Sequence, residues 1–453
     1  MKQSIRIASG QGFWGDLQTA PVDQVRNGPV DYMMMDYLAE VTMSILQKQK
    51  MKDPNLGYAK DLVPLFEEIL PDIVKKKITV ITNGGGVNPI ACRNAIFAVA
   101  DKLRIKNLKV GVVLGDDILG QIDALAAQGI KLDNMETGER LESVRSNVIS
   151  ANVYFGAFPI VEALRQGAQI VITGRTTDTG LTLAPMIYEF GWSDSDWDKL
   201  AAGTVAGHIL ECGGQTSGGN FSADWKSVPD LAHIGFPIAE AGPDGTVVIT
   251  KHDRTGGLVS SASVKEQLVY EIGDPKNYIT PDCIADFTTI QLKDTSLDRV
   301  EVSGVKGKPS TGFYKVSMSY FDGYTAFGTL TYAWPDALEK ASKADQILRI
   351  RLCDLRLNFD EIRTEFLGYD SCFGPLSKNT GTLNEVVMRV GVRSRDKEAV
   401  NRFSKEIAPL ILTGPPSVTG FAGGRPKPSE VIAYWPALIP KTAVTPKVIV
   451  EQH

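Results

Sequence analysis

The sequence lacks the features that mark membrane proteins, disulfide-rich secreted proteins and nucleic-acid-binding proteins. No apolar run approaches the roughly 18 residues that a membrane span needs, and 48 Lys plus Arg stand against 53 Asp plus Glu without a long basic block. The five cysteines are scattered and never spaced C-x-x-C, which argues against zinc fingers and a disulfide framework. We therefore expect a cytoplasmic protein whose main partner is neither a nucleic acid nor a membrane.

Two common catalytic signatures are also missing. Neither the P-loop pattern G-x-x-x-x-G-K-[ST] nor the pattern G-x-S-x-G occurs, so the sequence does not indicate a P-loop ATP-binding protein or an α/β-hydrolase. The chain has only four histidines, and no His cluster could complete a zinc site. A divalent metal is an alternative that we do not favour.

Glycine is abundant, with 43 residues in a chain of 453, and this length suggests about two or three domains. In the first half, β-branched runs alternate with helical patterns, which predicts an α/β fold with a doubly wound, mostly parallel sheet. Further on, consecutive antiparallel strands and helices predict an α+β domain. We place the two domains at residues 1–275 and 276–453, and expect the C-terminal segment to wrap back over the site.

Three predicted strands each end in a polar turn that contains glycine, and each turn is followed by a helical pattern. Because ligands in open α/β sheets bind beyond the carboxyl ends of the strands, we predict that these turns share one crevice. The strands with their turns are 78–82 with Asn83-Gly84-Gly85-Gly86, 109–114 with Gly115-Asp116-Asp117, and 169–173 with Gly174-Arg175-Thr176-Thr177-Asp178.

The first of these turns is a candidate anion site. Asn88 is a predicted N-cap ahead of Pro89, and the N–H groups at a helix start bind phosphate or carboxylate. A purely structural turn is the equal alternative. The glycines of this turn do not follow G-x-G-x-x-G, so we expect no nicotinamide cofactor. The predicted substrate-binding residues here are Asn83, Gly84, Gly85 and Asn88.

The other two turns supply charged candidates. Asp117 would act as an acid or base, or as part of a metal pair; the alternative is a helix cap. Arg175 would hold a carboxylate through two hydrogen bonds, with Asp178 as base or orienting group. Equally, Arg175 and Asp178 would form a structural ion pair with each other.

A further predicted helix ends at a glycine-rich loop. His208 and Glu211 are spaced i and i+3, so they lie on one helix face, where they form a candidate acid and base; the alternative is a capped helix end. Gln215 follows in the loop as a predicted substrate contact. Arg254 and Arg425 each stand near glycines, either as anion subsites or in solvated loops.

An ordered set of motifs runs through nearly the whole chain. Its main segments are Ser9-Gly10-Gln11-Gly12-Phe13-Trp14-Gly15-Asp16, Asn83-Gly84-Gly85-Gly86, Gly115-Asp116-Asp117, Ile172-Thr173-Gly174-Arg175, Gly207-His208-Ile209-Leu210-Glu211-Cys212-Gly213-Gly214-Gln215 and Gly424-Arg425-Pro426. Together they resemble the acyclic terpene utilisation family, the AtuA-like proteins. The resemblance implies a role in bacterial breakdown of citronellol- and geraniol-type terpenes through acyl-CoA intermediates. Longer relatives add a small ferredoxin-like domain after this core, so we expect a separate small subunit to supply it here.

We therefore expect a catabolic lyase or hydro-lyase that acts on an organic acid or its CoA thioester. His208 or Glu211 would transfer protons. Asp178 or Asp117 would be the second carboxylate, and Arg175 would anchor the substrate. The alternative is a non-catalytic acyl-CoA-binding or scaffold subunit that needs a small partner protein. We also expect a homo-oligomer.

Overall fold

A computed structural model describes residues 2–39, 41–378, 381–421 and 423–453. The chain divides into two compact units: the residues up to Ser319 together with Tyr434–His453, and Tyr320–Ala433. The first unit thus continues past the predicted boundary at residue 275 and takes up the chain again at Tyr434. No helix within the described residues has both the length and the apolar character that crossing a bilayer requires.

Strands and helices alternate in the first half of the chain, and strands predominate later. The strands are β1 (Ile5–Gln11), β2 (Tyr32–Met35), β3 (Thr79–Thr82), β4 (Lys109–Leu114), β5 (Val148–Val153), β6 (Ile170–Thr173), β7 (Ile238–Ala241), β8 (Val247–Thr250), β9 (Tyr278–Ile279), β10 (Cys283–Asp286), β11 (Gln291–Ser296), β12 (Arg299–Ser303), β13 (Lys306–Pro309), β14 (Phe313–Ala333), β15 (Glu361–Leu367), β16 (Glu385–Ser394), β17 (Val418–Gly420), β18 (Ser429–Pro440) and β19 (Lys447–Gln452). The helices are α1 (Ala20–Arg26), α2 (Thr42–Lys52), α3 (Leu62–Lys76), α4 (Pro89–Leu103), α5 (Ile122–Ala127), α6 (Phe158–Arg165), α7 (Gly180–Phe190), α8 (Trp197–Glu211), α9 (Ser261–Val269), α10 (Ala337–Asp354), α11 (Lys397–Phe403) and α12 (Leu410–Thr413).

The first unit is built on a ten-stranded sheet with the order β11-β12-β8-β7-β1-β2-β3-β6-β4-β19. Its centre, from β1 to β4, is parallel. Antiparallel strands extend the sheet at both sides of this centre. The predicted α/β fold is confirmed, and the sheet is mixed rather than mostly parallel.

The central strands consist mainly of apolar and β-branched residues, and most of these are buried. In β6 (Ile-Val-Ile-Thr) and in β2 (Tyr-Met-Met-Met) all four residues are buried. Continuous burial is typical of parallel strands that are covered on both faces. Because these strands run in one direction, the turns that follow them emerge at the same edge of the sheet.

The second unit has its own sheet, with the order β15-β16-β14-β17 and antiparallel neighbours. Along the chain its elements follow as strand, helix, two strands, helices and strand. Its core includes Leu330, Leu348 and Phe403. This is the split βαβ arrangement of ferredoxin-like units. A unit of this topology is therefore present inside the chain itself, while the separate small subunit stays a prediction.

The turn between β3 and α4 is held in place by close contacts with neighbouring segments. The Asn88 side chain accepts a backbone N–H of the first helical turn and donates through Nδ2 to the carbonyl oxygen of Leu56 at 2.7 Å. The predicted N-cap is therefore confirmed. A Cβ atom on Gly85 would lie 2.6 Å from both Ile172 Cγ2 and the carbonyl oxygen of Thr173. Glycine is required at this position because β6 lies directly against the turn.

We predict that Gly85→Ala destabilises the protein by about 2 kcal/mol, since the added methyl group would overpack the turn against β6. The matched control is Gly120→Ala, where a Cβ atom meets nothing within 4 Å and the change should be neutral or slightly stabilising. Denaturant unfolding of both variants measures the difference. Equal free energies of unfolding would contradict the packing role of Gly85.

Candidate functional site

The turns after the parallel strands meet at one edge of the sheet. Asp36 follows β2 and Asn83 follows β3, and Asn83 Nδ2 donates to Asp36 Oδ1 at 2.6 Å. Asp116 lies beyond β4 and Arg175 beyond β6, and the backbone N–H of Arg175 donates to Asp116 Oδ2 at 2.8 Å. Burial raises the pKa of Asp36 to about 6, although the positive charge of Arg175 opposes this shift. Asn83 and Arg175, predicted to share a crevice, therefore belong to one polar cluster.

Arg175 is the central cation of this cluster and is only 2% exposed. Its Nη1 donates to the carbonyl oxygen of Leu38, and its Nη2 lies 3.4 Å from Asp178 Oδ1. The guanidinium group also stacks 4.1 Å from the ring centroid of Tyr154. The ion pair with Asp178, which the sequence offered as the alternative to carboxylate binding, is present, and carboxylate binding by Arg175 stays a prediction.

The two neighbouring aspartates after β4 have different roles. Asp116 is buried and accepts hydrogen bonds from Arg175 N and from Asn152 Nδ2, the latter at 3.0 Å. Burial raises the pKa of Asp116 to about 7, and these hydrogen bonds limit the shift. Asp117 Oδ1 instead accepts the backbone N–H of Leu119 at 3.1 Å. Asp117 therefore fits the capping alternative, and Asp116 is the aspartate that reaches the site.

His208 and Glu211 form a buried pair at the end of α8, with His208 Nδ1 2.9 Å from Glu211 Oε1. His208 Nε2 lies 3.0 Å from the carbonyl oxygen of Gln267. Because a carbonyl oxygen only accepts, Nε2 must carry a hydrogen atom. When Nδ1 is protonated as well, His208 is positively charged and forms an ion pair with Glu211. Gln267 also accepts a hydrogen bond from Gln215 Nε2 at 2.9 Å, which joins Gln215 to the pair.

Burial and mutual attraction act in opposite directions on this pair. Burial alone would lower the pKa of His208, but the charge and hydrogen bond of Glu211 raise it, with a net upward shift. The pKa of Glu211 is raised chiefly by burial, with His208 opposing and Asp178 adding to the shift. Both groups therefore hold a proton more tightly than they would in water.

A cavity of about 400 Å³ opens beside Arg175. Its polar lining includes Tyr154, Arg175, Thr177, Asp178, Tyr278 and Lys315. Its apolar lining includes Met135, Ile279, Phe313 and Leu438. Such a mixture of apolar surface and a few convergent polar groups is typical of small-molecule sites.

The His208–Glu211 pair lies behind the wall of this cavity. Neither residue is among the described residues that line it. Tyr278 does line the cavity, and its ring contacts the His208 ring edge to face, with 5.4 Å between the centroids. The pair is thus one aromatic ring away from the space that a ligand would occupy.

The remaining predicted site residues contribute to packing or lie elsewhere. Asn83 Oδ1 accepts the backbone N–H of Tyr37 at 2.8 Å, and Gly84 has no room for a side chain. Arg254 is exposed in the loop after β8, and Arg425 is exposed in the second unit. None of these residues lines the cavity within the described part of the chain. Their roles in substrate binding stay predictions.

Sequence reasoning missed three cavity residues, Tyr154, Lys315 and Tyr278. Tyr154 stands two residues after Asn152, directly beyond β5, where an inspection of strand ends would have found it. Lys315 lies inside β14, where alternating polar and apolar residues are ordinary for a strand. Nothing in the sequence distinguishes Lys315 from a solvated lysine.

Sequence reasoning also overlooked the pattern G-x-G-x-x-G, which runs from Gly10, inside the end of β1, to Gly15. In a dinucleotide-binding loop this pattern opens a helix whose N-terminus receives the pyrophosphate. Here α1 begins only at Ala20, and a Cβ atom on Gly12 would lie 2.9 Å from the backbone carbon of Cys212. The loop is packed against the protein and does not form that helix N-terminus.

These features define a two-unit α/β protein with a small-molecule cavity beside the carboxyl edge of a parallel sheet. The chain belongs to the acyclic terpene utilisation family, since the family model described as acyclic terpene utilisation family protein AtuA matches residues 5–450. The resemblance inferred from the motifs is therefore confirmed. No curated protein and no solved structure matches the chain.

The raised pKa values of His208 and Glu211 predict a pH-dependent stability. Both groups bind protons more tightly in the folded chain. Their contribution to the free energy of unfolding therefore declines as the pH rises above the ordinary pKa values, 4.5 for Glu211 and 6.5 for His208. In Glu211→Gln, burial still lowers the pKa of His208 while the charge that chiefly raises it is lost, so the pH dependence should be weaker. The stability difference between the two proteins should therefore shrink with pH, by up to about 1.4 kcal/mol per pH unit for each proton.

Denaturant unfolding between about pH 5 and about pH 8 checks this expectation. The control is Glu67→Gln, which removes an exposed carboxylate of α3 that pairs with Lys102 and should leave the pH dependence unchanged. Parallel curves for wild type and Glu211→Gln would show that Glu211 does not raise the pKa of His208.

Proposed function

We propose that the chain is a catabolic enzyme that acts on an organic acid or its CoA thioester, as a lyase or hydro-lyase. The cavity carries this proposal, because it brings Arg175, Asp178 and Lys315 together with an apolar surface. Removal of a proton beside a carbonyl group requires a base and a group that stabilises the resulting negative oxygen. Family membership supports a role in carbon catabolism.

In this proposal Asp178 is the base and the two cations stabilise the substrate oxygen. Asp178 is favoured over Asp117 because it lines the cavity and pairs with Arg175, whereas Asp117 caps the turn after β4. The Arg175 guanidinium is held by the Leu38 carbonyl oxygen and the Tyr154 ring. A cation fixed in this way needs little rearrangement as charge develops in the transition state.

The His208–Glu211 pair is proposed as the second proton-transfer group. It lies behind Tyr278, so it would act through that side chain. The Tyr278 hydroxyl stays protonated because burial and the charge of Glu211 raise its pKa. As a neutral phenol, Tyr278 would offer a hydrogen-bond donor to a ligand in the cavity.

The second candidate is a non-catalytic subunit that binds an acyl-CoA and needs a small partner protein. The absence of His208 and Glu211 from the described cavity lining favours it. Incubation of the pure chain with candidate organic acids and acyl-CoAs, with and without the partner, separates the two. Turnover by the chain alone supports the enzyme, and binding without turnover in either mixture supports the subunit.

We predict that Asp178→Asn and Arg175→Lys each reduce turnover by about a hundredfold, the magnitude that loss of a proton-transfer group or of an oxyanion donor costs. The matched control is Arg26→Lys on α1, an exposed arginine that pairs with Glu68 and Asp72 and should retain full activity. Steady-state kinetics with a substrate found in that screen gives the rates. Unchanged rates in both cavity variants would remove Asp178 and Arg175 from the mechanism.

A further inference from the structure

We propose that the ligand of this cavity carries a free carboxylate group, which enters first and lies against Lys315. This inference rests on the proposed function and narrows it to a free acid, or to a ligand that keeps a carboxylate at the inserted end. A simple acyl-CoA would be a poor ligand. Three observations support it: the depth profile of the cavity, its net charge, and the surroundings of Lys315.

Polarity changes with depth in the cavity. The most deeply buried lining residues are polar: Arg175 is 2% exposed, Thr280 4% and Tyr154 8%. The apolar lining residues lie at the mouth, with Ile279 61% exposed and Phe313 48%. The floor is therefore polar and carries the charge of Arg175, and the rim is apolar.

This arrangement selects the orientation of an amphipathic ligand. A molecule that enters with its charged head first places its apolar body against the rim. An acyl-CoA has its polar carrier at one end and its hydrocarbon tail at the other. If it entered tail first, the hydrocarbon would meet the charged groups of Arg175 and Asp178, and burial of such groups without polar partners is unfavourable.

The charged lining residues leave an excess of one positive charge, since Arg175 and Lys315 face a single carboxylate, Asp178. In the part of the chain that the structure describes, Lys315 Nζ forms no ion pair with a carboxylate. It lies instead 5.2 Å from the ring centroid of Tyr154 and 5.6 Å from that of Tyr434. These rings hold the ammonium group by cation–π attraction but leave its charge uncompensated.

A ligand carboxylate would supply the missing negative charge, whereas an ester or thioester oxygen is neutral. Lys315 could donate a hydrogen bond to either oxygen, but only a carboxylate adds the Coulomb attraction between two full charges. Arg175 is already engaged by Asp178 and Leu38. Lys315 is therefore the residue that discriminates between an acid and its neutral derivatives.

The test is calorimetric titration of the full chain with citronellate, with its methyl ester and with its CoA thioester. We expect citronellate to bind at least about tenfold more tightly than either derivative. Lys315→Met should weaken citronellate binding by about tenfold to a hundredfold and weaken ester binding much less. Lys315→Arg keeps the charge and should retain the preference, and Lys293→Met, at an exposed lysine of β11, should match the wild type.

Thermal unfolding of each variant shows whether it is folded. If Lys315→Met does not fold, the ligand preference of Lys315→Arg still tests the inference. Equal or tighter binding of the ester or thioester would overturn this inference and leave the proposed function standing. Unchanged citronellate affinity in folded Lys315→Met would overturn the role of Lys315. Failure of all three compounds to bind would overturn the inference together with the proposed function.

Discussion

The hydrogen bond from the backbone N–H of Arg175 to the buried carboxylate of Asp116 ties the ends of two neighbouring strands together. Asp116 fills the space beside Gly174 so closely that a Cβ atom there would lie 2.4 Å from its Oδ1. Asn152 holds the carboxylate from the other side. The path of the backbone after β6, and with it the direction of the Arg175 side chain, is fixed by this contact. The Arg175–Asp178 pair and its stacking on Tyr154 follow from that direction.

Local sequence patterns predicted the elements around this contact well. The strand predicted at 109–114 has the observed bounds of β4, and the predicted N-cap Asn88 begins α4. Cap chemistry and β-branched runs act over a few residues, so a single sequence reveals them. Proline also acts locally in the second unit, where Pro409 stands at the N-cap of α12 and separates it from α11.

The site was only partly predictable. Arg175 and Asp178 could be found because they follow a parallel strand, and topology places such residues at a common edge. Lys315 and Tyr278 could not, because their role depends on which distant segments pack beside their strands. Strand pairing over long sequence separations also explains why the first unit extends to Ser319. The change of local pattern near residue 275 had suggested an earlier boundary.

One pairing in the sheet affects how the protein is made. The outer edge of β4 is covered by β19, and Lys109 lies opposite Gln452 in the register. During synthesis β4 leaves the ribosome long before β19, so its edge is unpaired while most of the chain is translated, and an open strand edge invites wrong partners. The aspartate that positions Arg175 directly follows β4. Completion of the cavity is therefore a late event in biogenesis, and a nascent chain that stalls before β19 would expose the unpaired edge of β4.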